Sequence, residues 1–113
     1  MIKPVVITEW RVEFHYSYGN TIKNVGYCDI RKGEGATVCM HNVHISANHQ
    51  GRGYGKRMIK QVMSWIKHAK LQGIERVWLD THNPIALHVY EKCGFKIIKN
   101  ERDYTKWEME YKL

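Results

Sequence analysis

The chain has 113 residues, 43% of them hydrophobic, with a formal net charge of +7. That length holds one modest domain of ordinary globular composition, and no apolar run is long enough to span a membrane. Met1-Ile2-Lys3-Pro4 lacks the apolar core of a secretory signal. Cys28, Cys39 and Cys93 are odd in number with no CxxC pair, which argues against a disulfide framework and predicts a reducing, cytoplasmic location, and the seven histidines show no zinc-ligand spacing.

In chain order, Val5, Val6 and Ile7 favour a short first strand. Trp10, Val12, Phe14, Tyr16 and Tyr18 alternate with polar residues, which predicts a half-buried strand over Trp10 to Tyr18. Gly19-Asn20 is a turn signal, and the return run Ile22 to Ile30 completes a hairpin. Lys32-Gly33-Glu34-Gly35 makes the next turn, and a strand follows from Ala36 to Ser46. Strict alternation places Cys39, His41, Val43 and Ile45 on one face of it and Val38, Met40, Asn42 and His44 on the other. Ile59, Val62, Met63, Ile66 and Ala69 recur at helical spacing, with Lys56, Arg57, Lys60 and Lys67 largely outside that stripe. The helix is predicted from Gly53 to Leu71, stopping near Gly73. Val77, Trp78 and Leu79 mark a strand over Arg76 to Thr81, and a strand-helix-strand crossover implies parallel pairing. Asn83 suits an N-cap and Pro84 a first helical position; that second helix runs to Cys93 and is stopped by Gly94. Phe95 to Lys99 and Lys106 to Tyr111 read as closing strands joined by the polar stretch Asn100 to Tyr104. With no repeat, low-complexity tract or linker, residues 1–113 are expected to form a single domain.

The stretch Gln50-Gly51-Arg52-Gly53-Tyr54-Gly55-Lys56 lies between a strand and the long amphipathic helix. Glycines at alternate positions expose a row of backbone N–H groups, and a helix start carries partial positive charge, so the stretch reads as a pyrophosphate cradle. A Walker loop is excluded because Gly55-Lys56 is followed by Arg57 and Gln50 stands where the first glycine belongs. The dinucleotide fingerprint is excluded by GxGxG spacing, and a kinase glycine loop by the helix that follows. Basic domains attract polyanions, but the positive residues are spread over most of the chain, as on a solvated surface.

Gln50-x-x-Gly53-x-Gly55 resembles the Q/R-x-x-G-x-G/A loop of the GNAT N-acetyltransferases. Asn83-Pro84-x-Ala86-x-x-x-Tyr90-Glu91-Lys92-x-Gly94-Phe95 resembles the second block of that family, the strand ending Val43-His44-Ile45 resembles its fourth strand, and Asp103, Met109 and Leu113 follow its last-strand pattern. The resemblance covers roughly Gly26 to Leu113. It implies an α/β (α+β) fold with a mixed, mostly antiparallel central sheet, a splayed parallel pair and two main helices. It also implies acetyl-CoA (coenzyme A) as cosubstrate. The pyrophosphate would rest on Gln50, Gly51, Arg52, Gly53, Tyr54, Gly55 and Lys56, the pantetheine arm would pair with backbone at Val43, His44 and Ile45, and Asn83 would add a polar contact. Tyr90 matches the tyrosine that protonates or hydrogen-bonds the departing thiolate. Cys39 stands where some relatives carry a glutamate, so His41 is the candidate general base, in competition with a water relay. The bland alternatives are core packing for Tyr90, helix capping for Asn83 and a structural strand histidine for His41.

Family members open with a strand and two helices that wall the acceptor site, whereas only about ten residues precede the first convincing strand here. The acceptor pocket is therefore expected to be open, completed by a second copy in a homodimer, or absent. Three functional classes follow. The first is an N-acetyltransferase moving an acetyl group to an amine, a protein lysine or a small amine, by direct transfer. The second is an acyl-CoA-binding module acting with a partner protein. The third is a nucleic-acid-binding domain stacking bases on Trp10, Phe14, Tyr16 and Tyr18. It is disfavoured because these side chains suit one face of a core. Neither a metal nor a membrane partner is expected.

Overall fold

Two side-chain periods, two along strands and 3.6 along helices, organise this chain in a computed structural model that describes residues 1–7, 11–18, 22–46, 50–68, 73–100 and 106–113. The strands are β1 (Ile2–Ile7), β2 (Arg11–Tyr18), β3 (Ile22–Lys32), β4 (Thr37–Ile45), β5 (Arg76–Thr81), β6 (Lys96–Asn100) and β7 (Trp107–Lys112), and the helices are α1 (Tyr54–His68) and α2 (Pro84–Lys92). They build one sheet in the order β1-β2-β3-β4-β5-β7-β6. Each neighbouring pair is antiparallel except β4 and β5, which run parallel as the crossover through α1 requires. The mixed sheet and two helices match the expected fold. Trp10, the Gly19-Asn20 turn, Ala69, Leu71 and the 101–104 connection lie outside the described residues.

Both helices pack on one face of the sheet. Val12, Phe14 and Tyr16 of β2 point into that core, so Phe14 and Tyr16 are not a stacking surface for bases. Phe14 meets the Trp65 ring of α1 edge-on, with centroids 5.0 Å apart. α1 buries Tyr54, Met58, Ile59, Val62, Met63 and Ile66, each worth roughly 1.5–3 kcal/mol of hydrophobic stabilisation for the apolar members. Polar ties fix the helix at both ends of the sheet. The Ile2 N–H donates to Gln61 Oε1 at 2.8 Å, and Lys67 Nζ donates to the Tyr111 hydroxyl at 2.6 Å. α2 starts as its sequence dictates: Asn83 Oδ1 accepts from the Ile85 N–H at 2.9 Å, and Pro84 occupies the first helical position.

Strict alternation fails on β4. Tyr27 pairs with His44 but Asp29 pairs with His41, so Asn42 and Val43 together oppose Cys28. This is a β-bulge, and Asn42 adopts φ 54 within it. Val38 and Met40 are buried before the bulge. Beyond it Val43 and Ile45 turn to the same, helix-covered side, where they pack against the core. His41 and His44 therefore share the opposite face with their partners Asp29 and Tyr27, instead of facing apart as the alternation predicted.

A second feature opens the sheet next to the bulge. β4 pairs with β5 only over Thr37–Cys39 against Arg76–Trp78. β5 then continues along β7 through Thr81. From Met40 onward, the described residues give the β5-facing edge of β4 no strand partner, and a cleft opens there.

Candidate functional site

The cleft leads into a cavity of about 370 Å³ between the end of β4, the start of α1 and one side of α2. Its wall contains Val43, Ile45, Gln50, Gly51, Gly53, Tyr54, Gly55, Lys56, Asn83 and Tyr90, all singled out from the sequence. Three anticipated site residues do not line it: His44 and Arg52, which are exposed, and the candidate base His41. His44 instead stacks on Tyr27 across the opposite face, with centroids 5.0 Å apart, leaving only its backbone beside the cleft. His41 is half-buried on that opposite face.

The glycine loop is shaped by backbone sterics. Gly51 and Gly53 have φ 77 and 80, which a side chain would strain. A Cβ built at either meets nothing within 4 Å, so the space above these two amides is open. The Arg57 N–H donates to the Gly53 carbonyl at 3.2 Å. The N–H groups of Tyr54, Gly55 and Lys56 thus precede the first intrahelical bond and are the orphan donors of a helix start. The first turn carries no acidic residue, and Lys56 and Arg57 lie in it. Positive side chains at the positive end of a helix are unfavourable on their own and become favourable beside an anion.

Side-chain contacts hold the three walls together. Gln50 Nε2 donates to the Ile45 carbonyl at 2.9 Å, closing the loop onto β4. Cys93 Sγ donates weakly to the Lys56 carbonyl at 3.7 Å, joining the end of α2 to the first turn of α1. Asn83 is both an N-cap and a lining residue. Tyr90 is 6% exposed and packs against Phe95. Burial foremost, with negative charge nearby, pushes its phenol up to about 12.

Sequence reasoning had not assigned Ile59, Ile85, Ala86, Val89 and Lys92 to this wall. Ala86 lies four residues from Tyr90 and three from Asn83, so helical spacing alone pointed to it. The lining contains Lys56 and Lys92 and no acidic side chain. That charge, the orphan amides and the apolar patch of Val43, Ile45, Ile85 and Val89 together fit an anionic ligand with a long, mostly apolar arm.

The sequence model for the acetyltransferase (GNAT) family matches residues 6–95. The chain belongs to the GNAT acetyltransferase family. Solved GNAT-fold structures agree at the level of the fold. Spermidine N-acetyltransferase from Vibrio cholerae, in complex with CoA and spermine, superposes with a TM-score of 0.76 at 18% identity over 92% of this chain. This chain spans 66% of that protein's length. A Bacillus subtilis acetyltransferase in complex with CoA gives a TM-score of 0.76 at 19% identity, covering 93% of this chain and 78% of that one. A domain from Methanocaldococcus jannaschii gives 0.73 at 23% identity, covering 94% and 69%. No curated protein sequence matches the chain. The cosubstrate of GNAT enzymes is acetyl-CoA.

Proposed function

We propose that the protein is an acetyl-CoA-dependent N-acetyltransferase that moves an acetyl group directly to an amine. The observation that carries this reading is the convergence, in one cavity, of the Gln50–Lys56 loop, the unpaired edge of β4, and Asn83 and Tyr90 of α2. Acetyl-CoA supplies an activated thioester. The amides of residues 51–56 and the Lys56 charge hold the diphosphate. Backbone groups at Val43–Ile45 pair with the arm, and a β4 amide stabilises the oxyanion of the tetrahedral intermediate.

Tyr90 then serves the leaving thiolate as a hydrogen-bond donor. An alkyl thiol titrates near 8.5, so complete proton transfer from a phenol at about 12 is uphill by roughly 3.5 units, about 5 kcal/mol. Donating a hydrogen bond to the developing charge carries no such cost. The amine arrives from the sheet face opposite the helices, where His41 flanks the point at which β4 leaves β5 and can take the ammonium proton directly or through water.

A second reading is an acyl-CoA-binding module without turnover, acting with a partner. It is favoured by the sheet face that carries His41, which no helix covers among the described residues. Release of CoA from acetyl-CoA, followed across spermidine, other small amines and lysine peptides, separates the two. Turnover that falls in Tyr90→Phe supports transfer; CoA binding with no turnover on any acceptor leaves the binding module. A second copy completing the acceptor wall is the homodimeric form of the first reading, and sedimentation with and without acetyl-CoA tests it. Cys28, Cys39 and Cys93 are free thiols and no described helix is long and apolar enough to cross a membrane, which supports assignment to the cytoplasm, tested by fractionation.

A further inference from the structure

The bulge on β4 has an anchor on the neighbouring strand. Asp29 of β3 is 1% exposed and lies on the face away from the helices. Its Oδ2 accepts from Arg11 Nε at 2.7 Å and from Arg31 Nε at 2.9 Å. Its Oδ1 accepts from Asn42 Nδ2 at 3.1 Å. Asn42 is the residue that departs from the β conformation, and among the described residues it is the one non-glycine with positive φ. Asparagine tolerates that conformation better than most residues, but in a strand it still needs something to hold it there. A buried carboxylate is costly unless fully paired. The two arginines satisfy one oxygen, and the other is directed at Asn42.

The bulge decides what the cavity sees. Without the extra residue, alternation would turn Val43 and Ile45 to the face away from the helices. With it, both line the cavity, and the unpaired edge of β4 is presented to whatever lies in the cleft. Gly26 shows how closely this arrangement is packed: a Cβ there would meet the His44 carbonyl at 2.5 Å and Ile45 Cδ1 at 2.7 Å.

We propose that Asp29 is a positioning residue for the acyl-CoA site, whose carboxylate pins Asn42 in the left-handed conformation and so aims the Val43–Ile45 backbone at the pantetheine arm. The tether rests on the cosubstrate reading above for its function, but not for its existence. Asp29 touches no ligand; it acts through Asn42.

The test compares two probes by calorimetry. CoA carries both the diphosphate and the arm, whereas adenosine 3′-phosphate 5′-diphosphate carries the diphosphate alone. In Asp29→Asn, CoA affinity is expected to fall by about tenfold or more, because main-chain pairing along an open strand edge is lost, while affinity for the shorter probe stays within about twofold. Asn42→Gly keeps access to positive φ without the tether and is expected to lose less CoA affinity than Asn42→Ala. It keeps the question open to measurement if Asp29→Asn fails to fold. Val62→Ala, a core truncation in α1 outside the cavity lining, is expected to lower the melting temperature and leave the ratio of the two affinities unchanged.

Equal losses for both probes in Asp29→Asn, no loss for either, or a ratio shifted as far by Val62→Ala would overturn the assignment. In the ligand-free protein, backbone shifts and the intraresidue HN–Hα NOE at residue 42 report the sign of φ; their persistence in Asp29→Asn also overturns it. Wild-type protein that binds neither probe ends the cosubstrate reading instead, and the NMR signature alone then decides whether the tether exists.

Discussion

Gln50 reaches from the glycine loop to the end of β4, its Nε2 donating to the Ile45 carbonyl at 2.9 Å. The bond ties the glycine loop to the strand whose unpaired edge borders the cavity. Its contribution is structural: the amide is spent on the chain and not on the ligand. Gln50→Ala is expected to lower the melting temperature by several degrees, the worth of one exposed hydrogen bond to the fold, and to weaken CoA binding only as far as the loosened loop loses its preorganisation. Thermal unfolding and titration calorimetry check this. Gln50→Glu loses the donor as well and places a negative charge beside the diphosphate, so it is expected to bind more weakly than Gln50→Ala.

The loop glycines are not equivalent. Gly53 sits at φ 80, so Gly53→Ala is expected to cost about 1–2 kcal/mol and to reduce CoA affinity. Gly55 lies in the helix, and an added Cβ would rest 3.6 Å from Ile45 Cγ1, an ordinary contact. Gly55→Ala is expected to leave stability unchanged or raise it by up to about 1 kcal/mol. Urea unfolding of both variants tests the order; equal destabilisation would contradict the conformational argument.

At high pH the buried phenol and thiol oppose the folded state. Tyr90 and Cys28 are each pushed up to about 12, chiefly by burial. Both are neutral when protonated, and their folded values exceed their unfolded ones. The stability they contribute is therefore complete below about pH 8.5–10. It is lost as pH rises from there through about 12. Tyr90→Phe is expected to lose less stability than the wild type between pH 9.5 and about 11.5, measured by urea midpoints. The same value implies that Tyr90 remains a donor throughout a normal assay range. An alkaline limb in turnover near neutral pH would then belong to another group.

Asp29 governs the acid side. Burial raises its carboxyl, but the hydrogen bonds and charges of Arg11 and Arg31 outweigh burial and hold it below the usual carboxylate range. A depressed folded value means that the stabilisation is complete above about pH 4 and is lost as pH falls through the lower folded value. Asp29→Asn is expected to be less stable at pH 7 by about 2–3 kcal/mol and to lose less of its remaining stability on acidification. Denaturant midpoints at neutral and strongly acidic pH provide the comparison.

Tyr90→Phe keeps the ring that packs on Phe95 and removes only the hydroxyl. Loss of one donor to a developing anion is expected to lower kcat by about a hundred- to a thousandfold, with CoA affinity nearly unchanged. An unchanged kcat would leave Tyr90 as core packing.

Much of this organisation could be read from local pattern. β5 occupies the stretch Arg76–Thr81 that Val77, Trp78 and Leu79 marked, because strand alternation there runs undisturbed. α2 begins at Pro84 because capping depends on Asn83 and its immediate neighbours. The buried face of α1 follows the 3.6-residue stripe through Ile59, Val62, Met63 and Ile66. The glycine loop was legible for the same reason, since positive-φ glycines at a helix mouth are a local signature. β4 was misread where alternation met a bulge. Asp29 was passed over because an acid flanked by arginine in a half-buried strand looks like solvated charge.

The sequence by itself determined the elements, the glycine loop at the mouth of α1 and the capped helix bearing Tyr90, because hydrophobic period, capping and turn chemistry act between residues close in the chain. Only the tertiary structure decided which side of β4 faces the cavity. That choice depends on the φ of Asn42, held by a hydrogen bond to Asp29, 13 residues away on the adjacent strand. A two-residue period carries no trace of a partner that the fold alone brings within reach.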